Sequence, residues 1–256
     1  MTQAFEIAGV GLASQQQALD VIANNVANMN TPSFKRSDVR FAEIIAQQID
    51  MSNPRASLTS EPSLAGVTAR SVLALDAQGD IERTGRALDI AIDGPGFIEL
   101  MGARGETLLW RGGALTIDET GALSAGGGLL LRTMINVPAD ATELTIAADG
   151  VVSARLNGDT EAKPLGQIML VRVQDAALIE RMDGGLYRLL DDAPIQETLP
   201  GADGAGELVQ GAIERSNVEM NAEMIKLLIV QRAFAANAQV VQAADQFMGL
   251  ANNLRK

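Results

Sequence analysis

The chain has 256 residues, 47% of them hydrophobic but only 3% aromatic, a net charge of −12, and neither cysteine nor histidine. That charge argues against a nucleic-acid binder, which needs a basic surface, and against electrostatic attachment to anionic lipid. Without Cys and His there are no disulfides, no thiolate or imidazole zinc sites, no thiol nucleophile and no His general base, so only carboxylate chemistry remains open.

The length allows one large domain or two smaller ones, and the core must be aliphatic. From Thr2 to Met29 apolar residues recur every seven: Phe5, Leu12, Leu19 and Val26, with a second row of Ala8, Gln15, Ile22 and Met29. The spacing predicts a helix with a heptad seam. It contains the stretch VIANNVANMNTPSFKR, in which Asn24, Asn25, Asn28 and Asn30 crowd ten residues although Asn is a mediocre helix former. Asn30-Thr31-Pro32-Ser33 then ends the helix, because Pro lacks a donor and restricts its predecessor. No basic n-region precedes the first apolar run, so a cleaved Sec-type signal is not expected. No run approaches the roughly 18 continuous apolar residues of a membrane span.

Residues 37–66 read as an extended segment and exposed loop, with two prolines and four serines in DMSNPRASLTSEPSLAG. Residues 67–207 are Gly-rich with short alternating runs. ALDIAIDGPGFIEL turns at Asp93-Gly94-Pro95-Gly96. ALTIDETGALSAGGGLLL reads as strand, turn, strand and glycine turn. LTIAADGVVSARLNG is a hairpin about Asp149-Gly150, and GQIMLVRV is one buried strand. Strands and turns at this spacing indicate an all-β domain.

From Ser216 to Leu254 a second heptad row runs through Met220, Leu227, Phe234, Val241 and Met248. Ser216-Asn217 reads as its N-terminal cap. Such a helix is about 50 Å long at 1.5 Å per residue and calls for a coiled-coil partner. The simplest partner is the other terminus. The fold expected is therefore α+β: long N- and C-terminal helices forming a coiled-coil stem around a central all-β domain. Its parts are an axial helix and turn over 1–36, the extended segment over 37–66, the β domain over 67–207, and the C-terminal axial helix over 208–256.

Candidate chemistry is sparse. Asp191-Asp192 with Glu197 could form a carboxylate pair, but reads better as a solvated acidic loop. Asp93 suits a tight turn. Gly94-Pro95-Gly96 is no phosphate loop, since strand rather than helix follows. Lys35, Arg36 and Arg40 read as a surface salt-bridge cluster or as a contact for an acidic neighbour. Trp110 and Tyr187 are read as core residues rather than interface anchors. No catalytic, cofactor-binding or metal-binding residue is expected.

Three blocks carry a family resemblance. VIANNVANMNTPSFKRSDVRFAEII resembles the N-terminal motif of the bacterial flagellar axial proteins of rod and hook, with Val26 for the usual Leu and Ser33 for the usual Gly. ALDIAIDGPGFIEL resembles their central block, and LVQGAIERSNVEMNAEMIKLLIVQRAFAANAQVVQAADQFMGLANNL their C-terminal block. The three stand in family order along the whole chain. Length and the single β domain are similar to those of rod proteins, most like the distal rod protein, with the proximal-rod paralogue as the close alternative.

The resemblance implies a structural subunit that self-assembles into a helical tube and transmits torque from motor to hook. It implies other rod proteins, the hook protein, the surrounding P- and L-ring proteins and the flagellar type III export apparatus as partners, and a basal body spanning periplasm to outer membrane. It implies no enzyme activity, nucleic acid or small-molecule substrate. Carried onto this sequence, it marks Asn24, Asn25, Val26, Asn28, Thr31, Phe34 and Lys35 at the N-terminus as assembly residues. At the C-terminus it marks Glu214, Ser216, Asn217, Val218, Met220, Leu227, Gln231, Arg232, Phe234, Val241, Asp245 and Met248. Asn24, Asn25 and Asn28 are expected to bridge subunits, because each amide both donates and accepts. The departure at Ser33 leaves the local turn open, since Ser does not readily take a positive φ.

Overall fold

A computed structural model describes residues 2–46, 63–75, 77–102, 104–125, 127–158, 161–173, 175, 178–190 and 194–253. The loop expected within 50–66 lies largely outside these residues, as do Asp191 and Asp192 and the side chain of Met248. The chain divides into two compact units. Unit 1 comprises residues 1–27, 37–72 and 219–256, and unit 2 comprises residues 28–36 and 73–218.

Unit 1 holds both α-helices, α1 (Thr2–Ala27) and α2 (Met220–Asn253), with the two-stranded pair β1 (Ser37–Ala46) and β2 (Ser63–Leu73). The helices pack on each other, but only in part through the predicted heptad rows: on α1 Ile22 is buried, while Leu12, Leu19 and Val26 are half-buried. The buried face of α1 is Ser14, Ala18, Ile22 and Asn25. Knobs of a coiled coil need large apolar side chains, whereas this face is small and partly polar. It allows close approach instead: a Cβ on Gly11 would sit 3.2 Å from Asn237 Nδ2. On α2, Met220 and Phe234 of the predicted row are 43% and 37% exposed.

Unit 2 carries the other strands. They are β3 (Ile81–Arg83), β4 (Asp89–Asp93), β5 (Phe97–Met101), β6 (Thr107–Trp110), β7 (Gly112–Ile117), β8 (Leu123–Ala125), β9 (Leu129–Leu131) and β10 (Ala141–Ile146). They continue as β11 (Val151–Leu156), β12 (Ala162–Gln167), β13 (Leu170–Val173), β14 (Ile179–Arg181), β15 (Leu186–Leu189), β16 (Ile195–Thr198), β17 (Glu207–Gln210) and β18 (Ala212–Glu214). The main sheet runs β14-β15-β6-β5-β9-β8-β7-β4-β17, with β13 joining β5 to β16. A three-stranded sheet β10-β11-β12 and the pair β18-β3 complete it.

Eighteen strands against two α-helices, among the described residues, make this a mainly β protein. The expected α+β fold with a long coiled-coil stem is thus corrected: the terminal helices exist, but the β architecture dominates and the packed face of α1 shares Ile22 alone with the heptad rows.

Turn chemistry sets the strand boundaries. The β10–β11 hairpin closes at Gly150, whose φ of +87° favours glycine. Asp118, not singled out in the sequence, accepts from the backbone of Thr120 and Ala122 at 2.8 Å each and shapes the β7–β8 turn. The hydroxyl of Thr120 and these amides hold its carboxyl below the usual carboxylate range. GQIMLVRV is not one strand but two, β12 and β13, parted at Ile168-Met169.

Strands β4 and β5 are buried along most of their length rather than on alternate residues. The reason is a core on each side. Ile90, Ile92, Ile98 and Leu100 join the larger cluster with Trp110, Leu115 and Leu131, and Phe97 joins a second with Leu109, Val171 and Tyr187. Trp110 and Tyr187 are core residues, 4% and 0% exposed.

Candidate functional site

Each unit contains a buried polar cluster centred on an end-motif residue. In unit 1 the centre is Asn25, 1% exposed on the inner face of α1. Its Nδ2 donates to Ser37 O at 2.8 Å and Glu223 Oε2 at 3.1 Å, and its Oδ1 accepts from Ser37 N at 2.9 Å. The amide therefore clasps the first residue of β1 and ties it to the first turn of α2. Lys226 Nζ completes the group, donating to Glu223 Oε1 and Asp38 Oδ1 at 2.9 Å each. Both donors of Asn25 are thus spent inside the subunit, not across a subunit boundary.

Asn25→Asp should destabilise unit 1 by roughly 2–3 kcal/mol at pH 7, because it sets a second carboxylate against Glu223 and removes two donors. Lowering the pH into the carboxylate range should shrink that loss by protonating the introduced carboxyl. Urea unfolding followed by helical circular dichroism at pH 7 and pH 4.5 checks this; an equal loss at both would refute it.

In unit 2 the centre is Glu214, at the end of β18 and 0% exposed. Its Oε1 accepts from Lys35 Nζ at 2.7 Å and Gly79 N at 3.0 Å. Its Oε2 accepts from Arg111 Nε at 3.1 Å and Nη2 at 2.9 Å. The remaining guanidinium donor, Nη1, caps the β4–β5 turn through Gly94 O at 2.9 Å and Gly96 O at 2.6 Å. Lys35 also donates to Ala77 O at 2.8 Å. A Cβ on Gly79 would fall 1.9 Å from Arg215 O, so only glycine lets this backbone reach the cluster. Lys35 is 1% exposed, which corrects its reading as a surface salt bridge. Burial, and then the neighbouring Arg111, hold its ammonium below the usual lysine range against the opposing pull of Glu214.

The backbone follows the same joins. Ser33 N donates to Glu214 O at 2.7 Å, and Asn217 N to Phe34 O at 3.3 Å. The Asn217 side chain accepts from Arg36 N at 2.7 Å and donates to Ala74 O and Ala77 O at 3.2 and 2.8 Å. Asn217 therefore joins three segments and does not cap α2. Phe34 is buried with Arg181 stacked 4.1 Å from its ring centroid.

Ser33 does adopt a positive φ, +58°. Its hydroxyl donates to Gly112 O at 3.1 Å. Ser33→Gly should change stability by less than about 1 kcal/mol, since relief of the left-handed strain offsets the lost hydrogen bond. Ser33→Ala keeps the strain and loses the bond, and should be the worse variant in the same urea titration.

Tyr187 Oη donates to Ser33 O at 3.3 Å, and burial pushes its phenol up to about 12. A raised folded pKa gives stability that is complete below pH 10 and lost as pH climbs toward 12, because the unfolded phenol ionises first. The loss is roughly 2–3 kcal/mol at 1.36 kcal/mol per pKa unit. Measured as the difference between wild type and Tyr187→Phe, it should appear only above pH 10. The opposite trend from Lys35 cancels in that difference.

The remaining motif residues are dispersed. Asn24 is exposed and Val26 half-buried on α1; Thr31 Oγ1 donates to Asn28 Oδ1 at 3.1 Å in the following turn. Ser216 and Val218 lie half-buried before α2. On α2, Leu227 and Val241 are half-buried, and Gln231, Arg232, Phe234 and Asp245 are exposed.

The outer face of α2 is apolar. At about 100° per residue, Ile225, Ile229, Val240 and Phe247 fall within about 60° of one another. They are 59%, 62%, 55% and 65% exposed. Beside them an apolar hollow of about 250 Å³ opens between Ala18, Ile22, Val39, Ile229 and Val230. Residues 220–247 are long and apolar enough by composition to cross a membrane, although no continuous apolar run is present. Arg232 projects from the same stripe, which is costly in lipid and acceptable against protein. Among the described residues no three His, Cys, Asp or Glu side chains are grouped to hold a metal ion.

Sequence reasoning missed Arg111, Gly79, Ser37, Glu223 and Arg181. Arg111 carried a signal: a charged residue directly following the apolar run Leu108-Leu109-Trp110.

Comparison with known families places these clusters. Residues 5–35 match the flagella basal body rod protein family, 91–154 the D1 domain of the flagellar hook protein FlgE/F/G family, and 209–254 the C-terminal region of the flagellar basal body rod FlgEFG family. Lys35, Arg111 and Glu214 fall one in each. The flagellar basal-body rod protein FlgG of Caulobacter vibrioides is 34% identical over 99% of both chains. That of Buchnera aphidicola is 33% identical over 97% of this chain and 98% of its own. The flagellar hook-basal body complex protein FlhP of Bacillus subtilis is 27% identical over the whole of both.

Proposed function

Because the chain belongs to the flagellar basal-body rod protein family and is a structural subunit of the rod, we propose that it forms the distal rod. There it would stack head to tail into a helical tube that carries torque toward the hook. The observation that carries this reading is the outward apolar stripe Ile225, Ile229, Val240 and Phe247. A soluble monomer rarely presents such a patch without a partner. Ile229 both belongs to the stripe and lines the adjoining hollow, and a head-to-tail contact that does not close on itself, the geometry of a filament, would cover the two together.

Its neighbours along the axis are other rod proteins and the hook protein, and around it the P- and L-ring proteins. It reaches the site through the flagellar type III export apparatus, and spans periplasm to outer membrane. Its role is structural and not enzymatic. The assembly residues proposed for contact with other subunits are those of the end motifs whose side chains face outward: Asn24, Met220, Gln231, Arg232, Phe234 and Asp245.

A deletion strain tests the position. Isolated basal bodies imaged by electron microscopy should show a truncated rod lacking its outer ring and hook. Arrest at an earlier stage would instead assign the chain to the proximal rod. Complete, motile flagella would overturn both.

A further inference from the structure

We propose that Glu214 makes completion of the β unit depend on the last strand of that unit. Unit 2 contains residues 28–36 and 73–218, so β18 is its final strand. The unit's other strands all precede it in the chain. Yet the carboxylate that neutralises its interior sits at the end of β18, bonded across sequence separations of 179 to Lys35, 135 to Gly79 and 103 to Arg111.

Before Glu214 arrives, Lys35 and Arg111 are two cations destined for positions 1% and 3% exposed. Without the carboxylate, neither has an anionic partner in this cluster. Burying unpaired charge costs more than a marginally stable domain can absorb. The sheet strands upstream can pair, but the interior cannot close over these cations. The same last segment supplies the backbone joins: Ser33 N to Glu214 O at 2.7 Å and Arg215 N to Asp80 O at 2.8 Å, besides the two segments, at Arg36 and at Ala74 and Ala77, that Asn217 ties to its own. A chain made or delivered N-terminus first therefore holds its β unit short of the final packed state until residues 212–217 are present. The inference stands on the cluster alone and does not depend on rod position or export route.

Native-state hydrogen exchange on the full-length wild-type chain tests it. The amides of Ser33, Gly79 and Arg215 should exchange as slowly, within about threefold, as those of Ile98 and Leu109 in the core strands, because opening the end segment opens the unit. Exchange of these three amides more than 100-fold faster than the core amides would overturn the proposal, since the segment would then be an appendage to a sheet that stands without it. The full-length variants Glu214→Gln and Lys35→Met/Glu214→Gln add a second reading. Glu214→Gln should speed exchange of the Ile98 and Leu109 amides by more than 100-fold, or prevent folding. The double variant, with one unpaired cation fewer, should exchange more slowly or fold better than the single. Core exchange at the wild-type rate in Glu214→Gln, or a double variant worse than the single, would count against it.

Discussion

Arg111→Ala should destabilise the β unit by about 3–5 kcal/mol, the range for removing one partner of a buried ion pair. The size follows from what the guanidinium serves. It contributes two donors to Glu214 at 3.1 and 2.9 Å and two short bonds to Gly94 O and Gly96 O at 2.9 and 2.6 Å. Alanine leaves one oxygen of a fully buried carboxylate without these donors and uncaps the β4–β5 turn. Arg111→Lys keeps the charge, but an ammonium cannot span the fork between carboxylate and turn, so a loss of about half that size is expected. Urea unfolding read through the core of unit 2 measures both. A loss below about 1 kcal/mol for the alanine variant would show that the cluster does not hold the unit together.

Replacing two residues of the apolar stripe has the opposite profile. Ile225→Glu/Phe247→Glu alters side chains that are 59% and 65% exposed. Surface changes of this kind usually lie within about 0.5 kcal/mol each, so the isolated chain should unfold within about 1 kcal/mol of wild type. Assembly should fail, since the stripe would place charge where a neighbour needs apolar surface. The strain should secrete the variant, build no rod beyond it, and not swim. Normal swimming would remove the stripe from the assembly interface. Loss of the folded monomer would show that these residues stabilise unit 1 itself.

The two variants separate two kinds of residue that sequence alone blends together. The helices and the hairpins at Gly121 and Gly150 were legible because each depends on local chemistry, periodicity and glycine at positive φ; the stop read at Asn30 to Ser33 was close, α1 ending at Ala27. The heptad rows misled because period reveals which residues share a face, not which face is inward. On α1 the packed face is Ser14, Ala18, Ile22 and Asn25, of which the heptad rows held Ile22 and no hydrophobic count selects Ser14 or Asn25.

The polar clusters were half legible. Lys35 and Glu214 stood in motifs that the resemblance marked, but their pairing spans 179 positions and has no local signature. Arg111 and Gly79 belong to neither end motif. Buried charge in a β unit is the least predictable feature of a sequence, because lysine, arginine and glutamate are mostly exposed.

The placement of the aromatic side chains has a practical consequence. The sequence contains one tryptophan, Trp110, and it is buried in unit 2. Both α-helices belong to unit 1. Indole fluorescence therefore reports the β unit, and the far-ultraviolet helical signal is dominated by the other unit. A single unlabelled sample carries two independent optical reporters, one per unit, and whether their melting curves coincide tells whether the subunit unfolds in one step or in two.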